Sequence, residues 1–478
     1  MEHCPSAFVE LIDFTATIST LTLLSTAVVL AITAGLVLFG MPASSDEPPP
    51  FSDTLDDSRS ARNHIKTAPF HIPFIDISGS DAPSASSSSS TYRIIYRSLE
   101  QYRSEISKAI ETLGRSLEIA LYHEEQYDHI IKPSARLSTK LERRIENLAA
   151  CLEHDELVLK RLLQPFDAFR ALSDKESSND DHLKEKRTNQ SPNRPPSQIL
   201  QNMSSKNSSQ LVEDHSYNSA VQIVAHMVRD WSTSGTAIRE NLYDWSRMQL
   251  ASQSQISKTS DRILVPGAGL GRLAFDLHQQ GYQVEANEIS PVMVAAANAI
   301  LQRNITGALH PFGLDSMVNE VDSSRRYDEI PFPDIDVSNS AATTGSLSYT
   351  IGDLVGPYYQ SKSHANSFGA VLTCFFIDTA TNIYEYLQMM QHLIRPGGLW
   401  INVGPVQWHR HAVMQPSVDE LYDLVLSFGF DILYWKIDVN PVSYRHYEDP
   451  VDASFVRSTN YEAYRPLRFV AIRRDKGI

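Results

Sequence analysis

The string Ile263-Leu264-Val265-Pro266-Gly267-Ala268-Gly269-Leu270-Gly271-Arg272-Leu273 constrains this chain more than any other feature. An apolar run enters three glycines at alternate positions and leaves as a helical pattern, so the backbone can come close to a ligand at the carboxyl end of a strand. A dinucleotide fingerprint, G-x-G-x-x-G, would put its last glycine where Arg272 stands. The spacing here is G-x-G-x-G, which favours a nucleoside without a pyrophosphate. Glu288 closes the next apolar run and falls where a carboxylate accepts hydrogen bonds from a ribose. The competing reading, a tight surface turn beside a solvated Glu288, gives the three glycines no mechanical use.

Short apolar runs recur at 262–266, 283–288, 348–351, 368–377, 399–403, 430–438 and 467–473, with helix-length stretches between most of them. Such alternation predicts an α/β fold with a mostly parallel sheet of seven strands, covered on both faces. Arg395-Pro396-Gly397-Gly398 reads as a turn, and residues 314–347 form a polar insertion too long for an ordinary connection, either a lid over the crevice or a surface loop.

Charge narrows the partners. With 42 Lys plus Arg against 57 Asp plus Glu, the formal net charge is -15 and no basic block dominates, so no nucleic acid is expected. The three cysteines, Cys4, Cys151 and Cys374, form no C-x-x-C pair, which points to a reducing compartment and to no structural metal. His409 and His411 lack a third ligand nearby, so no metal site is expected there either.

Upstream, residues 14–39 carry no charge over 26 positions, long enough for a helix to span a bilayer of roughly 30 Å at about 1.5 Å per residue. A single-pass membrane anchor is one reading; a threonine-rich core helix or a mispredicted extension is the other. Arg59, Arg62 and Lys66 follow the segment and would put the main body in the cytosol. Residues 42–91, rich in Pro, Ser and Asp, read as a disordered tether. Residues 92–250 read as a helical region interrupted by a disordered linker at 173–210, and 251–478 as the α/β domain. Two amphipathic runs on either side of Lys132-Pro133 suggest a helical hairpin that either caps the domain or forms a coiled coil with a partner.

Strand-GxGxG-helix, an acid ending the second strand and a PGG segment before the fifth together resemble the class I S-adenosylmethionine methyltransferases, whose sheet is Rossmann-like. Longer strings sharpen this: Val228-Arg229-Asp230-Trp231-Ser232, Thr373-Cys374-Phe375-Phe376-Ile377-Asp378-Thr379-Ala380 and Trp400-Ile401-Asn402-Val403-Gly404-Pro405. With the glycine loop they resemble the carnosine N-methyltransferase (N2227-like) family over roughly Tyr92 to the C-terminus. The resemblance implies S-adenosyl-L-methionine as cofactor, bound by Arg229, Gly267, Gly269, Gly271, Glu288, Asp353 and Cys374. His226 stands where the family has Gln, and Leu354 where it has an aromatic residue.

On the acceptor side the resemblance implies Asp378, His409 and Tyr464 as catalytic residues. Read without it, Asp378 is equally an N-cap to Thr379-Ala380, Cys374 a buried small hydrophobe and Tyr464 a core aromatic. The implied reaction is methylation of the imidazole of carnosine, giving anserine, or of a related histidine-containing dipeptide. Imidazole, with an ordinary pKa near about 6.5, is already mostly neutral at pH 7, so such an enzyme needs orientation more than a strong base. A protein-histidine methyltransferase, a nucleotide-dependent oxidoreductase and a non-catalytic membrane-tethered scaffold are the rival readings; the missing sixth-position glycine disfavours the oxidoreductase. The expected location is the cytosol or nucleus, membrane-anchored if 14–39 spans a bilayer. A homodimer is compatible with the sequence, which does not specify assembly.

Overall fold

The computed structural model describes residues 74–76, 86–164, 219–315, 320–339, 345–360, 362–443, 459 and 463–475. The expected anchor at 14–39 and linker at 173–210 lie outside these residues, as does most of the expected tether. Within that tether, residues 74–76 instead form a strand and residues 86–91 begin a helix. Among the described residues, no helix is long and apolar enough to cross a membrane.

In chain order the strands are β1 (Phe74–Asp76), β2 (Arg262–Pro266), β3 (Gln283–Glu288), β4 (Gly307–Leu309), β5 (Ile330–Phe332), β6 (Ser346–Ile351), β7 (Phe368–Cys374), β8 (Ile394–Gly404), β9 (Phe430–Ile437) and β10 (Leu467–Arg473). Eight of them make one sheet in the order β1-β6-β3-β2-β7-β8-β10-β9. Neighbours from β1 to β8 run parallel, and β10 is antiparallel to both β8 and β9. The seven expected strands are all present, and β1 adds an eighth on one edge. The sheet with its flanking helices is the Rossmann-like methyltransferase fold expected from the sequence. After β2 the chain adds β3 and β6 on one side and then β7 and β8 on the other, so the strand order reverses at β2 and the crevice opens beyond the carboxyl ends of β2 and β7.

Two boundaries differ from the expectation by more than two residues. The fourth expected strand stops at Cys374 because Phe375 takes a left-handed backbone, φ 51°. Pro396, Gly397 and Gly398 are a bulge inside β8 rather than a turn before it: Phe368 pairs with Ile394, yet Ala370, two residues on, pairs with Leu399.

The sheet core is aromatic. Trp400, fully buried on β8, meets Phe430 at 5.6 Å and Phe469 at 4.9 Å, and its indole N–H donates to Thr373 Oγ1 at 3.0 Å. The helix Pro291–Leu301 is buried at every position, as its nearly continuous Val, Ala, Ile and Met composition requires.

The described residues divide into two compact units, one holding 106–150 and the other the rest. The long helices α1 (Ser86–Gln126) and α2 (Leu137–Leu162) pass through both. In the first unit, the Glu124 carboxylate caps the start of α2 by accepting from Ser138 N at 3.0 Å and from Leu137 N. In the second, Asp155 on α2 accepts from His310 at 2.8 Å, beside the β4–β5 hairpin, so this end of the helix is fastened to the α/β core.

Candidate functional site

The site grows from the Val228-Arg229-Asp230-Trp231-Ser232 string, which ends α3 (Ala220–Trp231). Each residue faces a different neighbour. Val228 is core, and its carbonyl accepts from Ser232 Oγ at 2.7 Å. The Trp231 indole N–H donates to Leu270 O at 3.1 Å, and Arg272 lies over the Trp231 ring at 5.1 Å, so the helix is stitched to the glycine loop. Arg229 donates to Asp230 through Nε at 2.6 Å and Nη2 at 2.7 Å, a bidentate pair with Asp230 only 1% exposed. Tyr243 OH also donates to Asp230, at 2.7 Å.

Arg229 Nη2 lies 3.0 Å from His226 Nδ1. A guanidinium can only donate, so Nδ1 is the acceptor and His226 is the neutral Nε2–H tautomer. Burial, reinforced by the Arg229 charge, pulls the His226 pKa down to about 3, in agreement. Burial alone would raise Asp230, but the Arg229 guanidinium outweighs it and holds that carboxyl low.

At the glycine loop, Gly267 and Gly269 take φ of 62° and 57° and line the crevice. A Cβ on Gly267 would lie 2.5 Å from the Phe376 ring, and one on Gly269 would point at His226 and Arg229, 3.8 and 3.9 Å away. Gly271 behaves differently. Its φ of 80° starts the helix Arg272–Gln279, a Cβ there would press on Leu301 at 3.0 Å, and it is not on the crevice wall. Its function is to turn and pack the chain.

Glu288 is 8% exposed, and its carboxylate accepts from Gly269 N, Ile289 N and Ser290 N, each at 2.9 Å. Burial raises its pKa, and those three backbone donors oppose the rise. Oε1 takes two of the donors and Oε2 one, so Oε2 retains a lone pair for a ribose hydroxyl. Asn287 beside it donates to Gly352 O at 3.1 Å, tying the carboxyl end of β3 to that of β6. Asp353 follows there and accepts from Val355 N at 3.1 Å, with Leu354 buried at its side.

Across the crevice, burial pushes the Cys374 thiol up to about 12, so it stays a protonated wall residue rather than a nucleophile. Phe375, left-handed, donates its N–H to Val403 O at 3.0 Å and sets its ring edge-on to Tyr464, with centroids 6.3 Å apart. Gly404 makes room for this bend, since a Cβ there would sit 2.9 Å from Phe375 N.

Asp378 lies in the short turn Ile377–Thr379 and is 5% exposed. Its carboxylate accepts from Gln407 N at 3.2 Å rather than capping Thr379 and Ala380, so the N-cap reading is set aside. Burial raises its pKa to about 6, against the opposing pull of the Gln407 N–H. His409 N donates to Asp378 O at 3.2 Å, which lays the segment after β8 over this turn. Tyr464 is held by a backbone bridge to Val442.

One cleft of about 600 Å³ is lined by His226, Arg229, Gly267, Gly269, Glu288, Asp353, Leu354, Cys374, Asp378, His409 and Tyr464. Every site residue expected from the sequence except Gly271 therefore meets in one place. Tyr243, Phe375, Phe376 and Gln407 also line it and were not singled out from the sequence. Only the left-handed bend at Phe375 left a trace there, in the Gly404 that accommodates it. Among the described residues of the 314–347 insertion, none lines this cleft. Asp334 ties the insertion to the segments on either side of the glycine loop, accepting from Arg239 Nη2 at 2.5 Å and Arg272 Nη1 at 2.6 Å. Among the described residues there is no cluster able to hold a metal ion.

These residues suit a nucleoside carrying an anionic tail. Glu288 offers a carboxylate lone pair at the end of β3, Asp353 and Leu354 line the cleft near it, and Arg229 with the bare backbone of Gly269 forms a cradle that a side chain would fill. The buried Asp378 carboxylate, of near-neutral pKa, lines the same cleft.

A family model described as Carnosine N-methyltransferase matches residues 206–468. The chain is 32% identical over 217 residues to the carnosine N-methyltransferase of Mus musculus, covering 43% of this chain and 52% of that protein. It is 33% identical over 218 residues to carnosine N-methyltransferase unmet of Drosophila melanogaster, covering 43% and 46%. It is 30% identical over 227 residues to the carnosine N-methyltransferase of Schizosaccharomyces pombe, covering 43% and 60%. The chain thus spans about half the length of the curated relatives it matches.

Proposed function

The chain belongs to the carnosine N-methyltransferase family, and from that membership we propose that it methylates an imidazole nitrogen of carnosine or a closely related histidine dipeptide. S-adenosylmethionine, when bound, supplies an electrophilic methyl carbon on a positively charged sulfur. Glu288 would hold its ribose, Asp353 and Leu354 its base, and Arg229 its carboxylate. The observation that carries the reading is Asp378, a buried carboxylate of near-neutral pKa in the same cleft as this cradle.

Asp378 accepts a hydrogen bond from one ring N–H of the acceptor, which fixes the tautomer and turns the other nitrogen's lone pair toward the cradle. As the ring becomes positively charged, Asp378 stabilises that charge and takes the ring N–H proton. A carboxylate at about 6 is well matched to this task, because an imidazole titrates near about 6.5. His409, whose backbone is anchored on Asp378, and Tyr464 opposite flank the ring.

The test is mass spectrometry of carnosine incubated with S-adenosylmethionine and the full chain, with Asp378→Asn as control. One methyl on the imidazole is expected, with turnover reduced at least about 100-fold in the variant and affinity for S-adenosylhomocysteine kept within about twofold. Equal loss of turnover and product affinity would remove Asp378 from the chemistry. Methylation of histidine-containing protein but not of carnosine would replace the dipeptide reading.

A further inference from the structure

Arg229 is a flexible side chain asked to present one face to a ligand, and the structure surrounds it with groups the reaction itself does not use. Asp230 holds Nε and Nη2 in a two-point clamp, which fixes the guanidinium plane. Tyr243 OH holds Asp230 Oδ1 in turn, at 2.7 Å. Tyr243 reaches that position from Glu240–Asp244, a π-helical turn between two α-helical segments. Such turns are rare and recur at functional sites, where the extra residue re-aims side chains.

The turn is itself braced. Arg468 on β10 donates to Asn241 O at 3.0 Å, and its guanidinium lies over the Trp245 ring at 5.0 Å. Arg239, just before the turn, donates to Arg229 O at 2.5 Å and Ser232 O at 2.8 Å. Gly235 completes the fit, since a Cβ there would overlap Arg229 O at 2.1 Å.

We infer that Asp230 and Tyr243 are positioning residues, which hold the Arg229 guanidinium against the carboxylate of the cofactor's amino-acid tail. The inference rests on the cofactor reading above and adds to it the two residues that aim Arg229. Asp230 is too deeply buried to touch the ligand, so its effect passes through Arg229. A group that only stabilised the fold would affect every ligand of the cleft alike. A group that orients Arg229 affects only ligands with a carboxylate.

Calorimetric titration of the full chain with S-adenosylhomocysteine, which has the amino-acid tail, and with 5′-methylthioadenosine, which lacks it, separates the two. For Tyr243→Phe, the expected result is a Kd about tenfold higher for S-adenosylhomocysteine, the scale of one charge-assisted hydrogen bond, with the 5′-methylthioadenosine Kd unchanged within twofold. Asp230→Asn, which keeps the shape but loses the charge, should show the same selectivity more strongly. Equal weakening of both ligands, or of neither, would overturn the positioning role. Binding of neither ligand by the unmodified chain would overturn the cofactor reading itself.

Discussion

At Asp378, the burial that suits the proposed chemistry costs stability. Its folded pKa of about 6 lies above the ordinary value of about 3.9. The stability it contributes is therefore fully present below about pH 3.9, where it is neutral in both states, and is lost as pH rises through about 6. The Asp378→Asn chain should be more stable than wild type at pH 8 by about 1–3 kcal/mol, the gain vanishing near pH 4. Urea unfolding at the two pH values measures this; an equal difference at both would refute the linkage. On the proposed mechanism, protonation of Asp378 and of the free acceptor ring both stop the wild-type reaction, as read in kcat/KM. Its acid limb should steepen toward a slope of two below about pH 6, against one for the variant. Asp378 itself was legible in the sequence through the Phe-Phe-Ile-Asp string, but its partner Gln407 was not, because the bond crosses from the end of one strand to the end of another. Asp230 was visible as a letter in a motif, yet its use depends on Tyr243, thirteen residues on, reached through a turn that hydrophobic periodicity does not register.

Among the elements, the polar insertion is the one whose sequence left both a lid and a surface loop open. The structure adds an anchor at Asp334, whose side chain is 8% exposed between two arginines. Nothing local marks Asp334, since both arginines are remote in sequence, Arg239 ahead of the glycine loop and Arg272 just after it. Asp334→Ala should destabilise the protein by about 3–5 kcal/mol, because two buried guanidinium groups lose their shared carboxylate. Denaturant unfolding checks this, and a loss under about 1 kcal/mol would mean that the arginines find other partners. Strand positions were easier to read. β2, β3 and β10 have the expected bounds because apolar runs of five to seven residues are bordered by turn chemistry. β7 and β8 were misjudged where the backbone leaves the pleat, at Phe375 and at the Pro-Gly-Gly bulge, since such bends are set by tertiary fit.

For the molecule as a whole, one sheet does two jobs: its aromatic centre holds the fold, and its carboxyl edge carries the site. Trp400 belongs to the first, so Trp400→Ala should cost about 3–5 kcal/mol. S-adenosylhomocysteine at a hundred times its Kd should return about 2.7 kcal/mol of that, if the emptied core leaves the cleft intact. Thermal unfolding with and without ligand measures both terms; no ligand rescue would mean that core and cleft fail together. Seven apolar runs and one glycine loop mark the strands, which is why the α/β domain was legible, whereas β1 lies in a stretch whose Pro, Ser and Asp content resembles a tether. The π-helical turn at Glu240–Asp244 has a consequence in the currency of insertions and deletions. It holds one residue more than regular α winding needs, so removing one of the five would restore that winding with the flanking helices nearly in phase, and would re-aim the side chains inside the turn. Tyr243 lies inside the turn, so that re-aiming would carry its hydroxyl off Asp230. Chain length in this turn is therefore under tighter constraint than the identity of its exposed residues, and a frame-preserving loss of one codon here would do more harm than most substitutions.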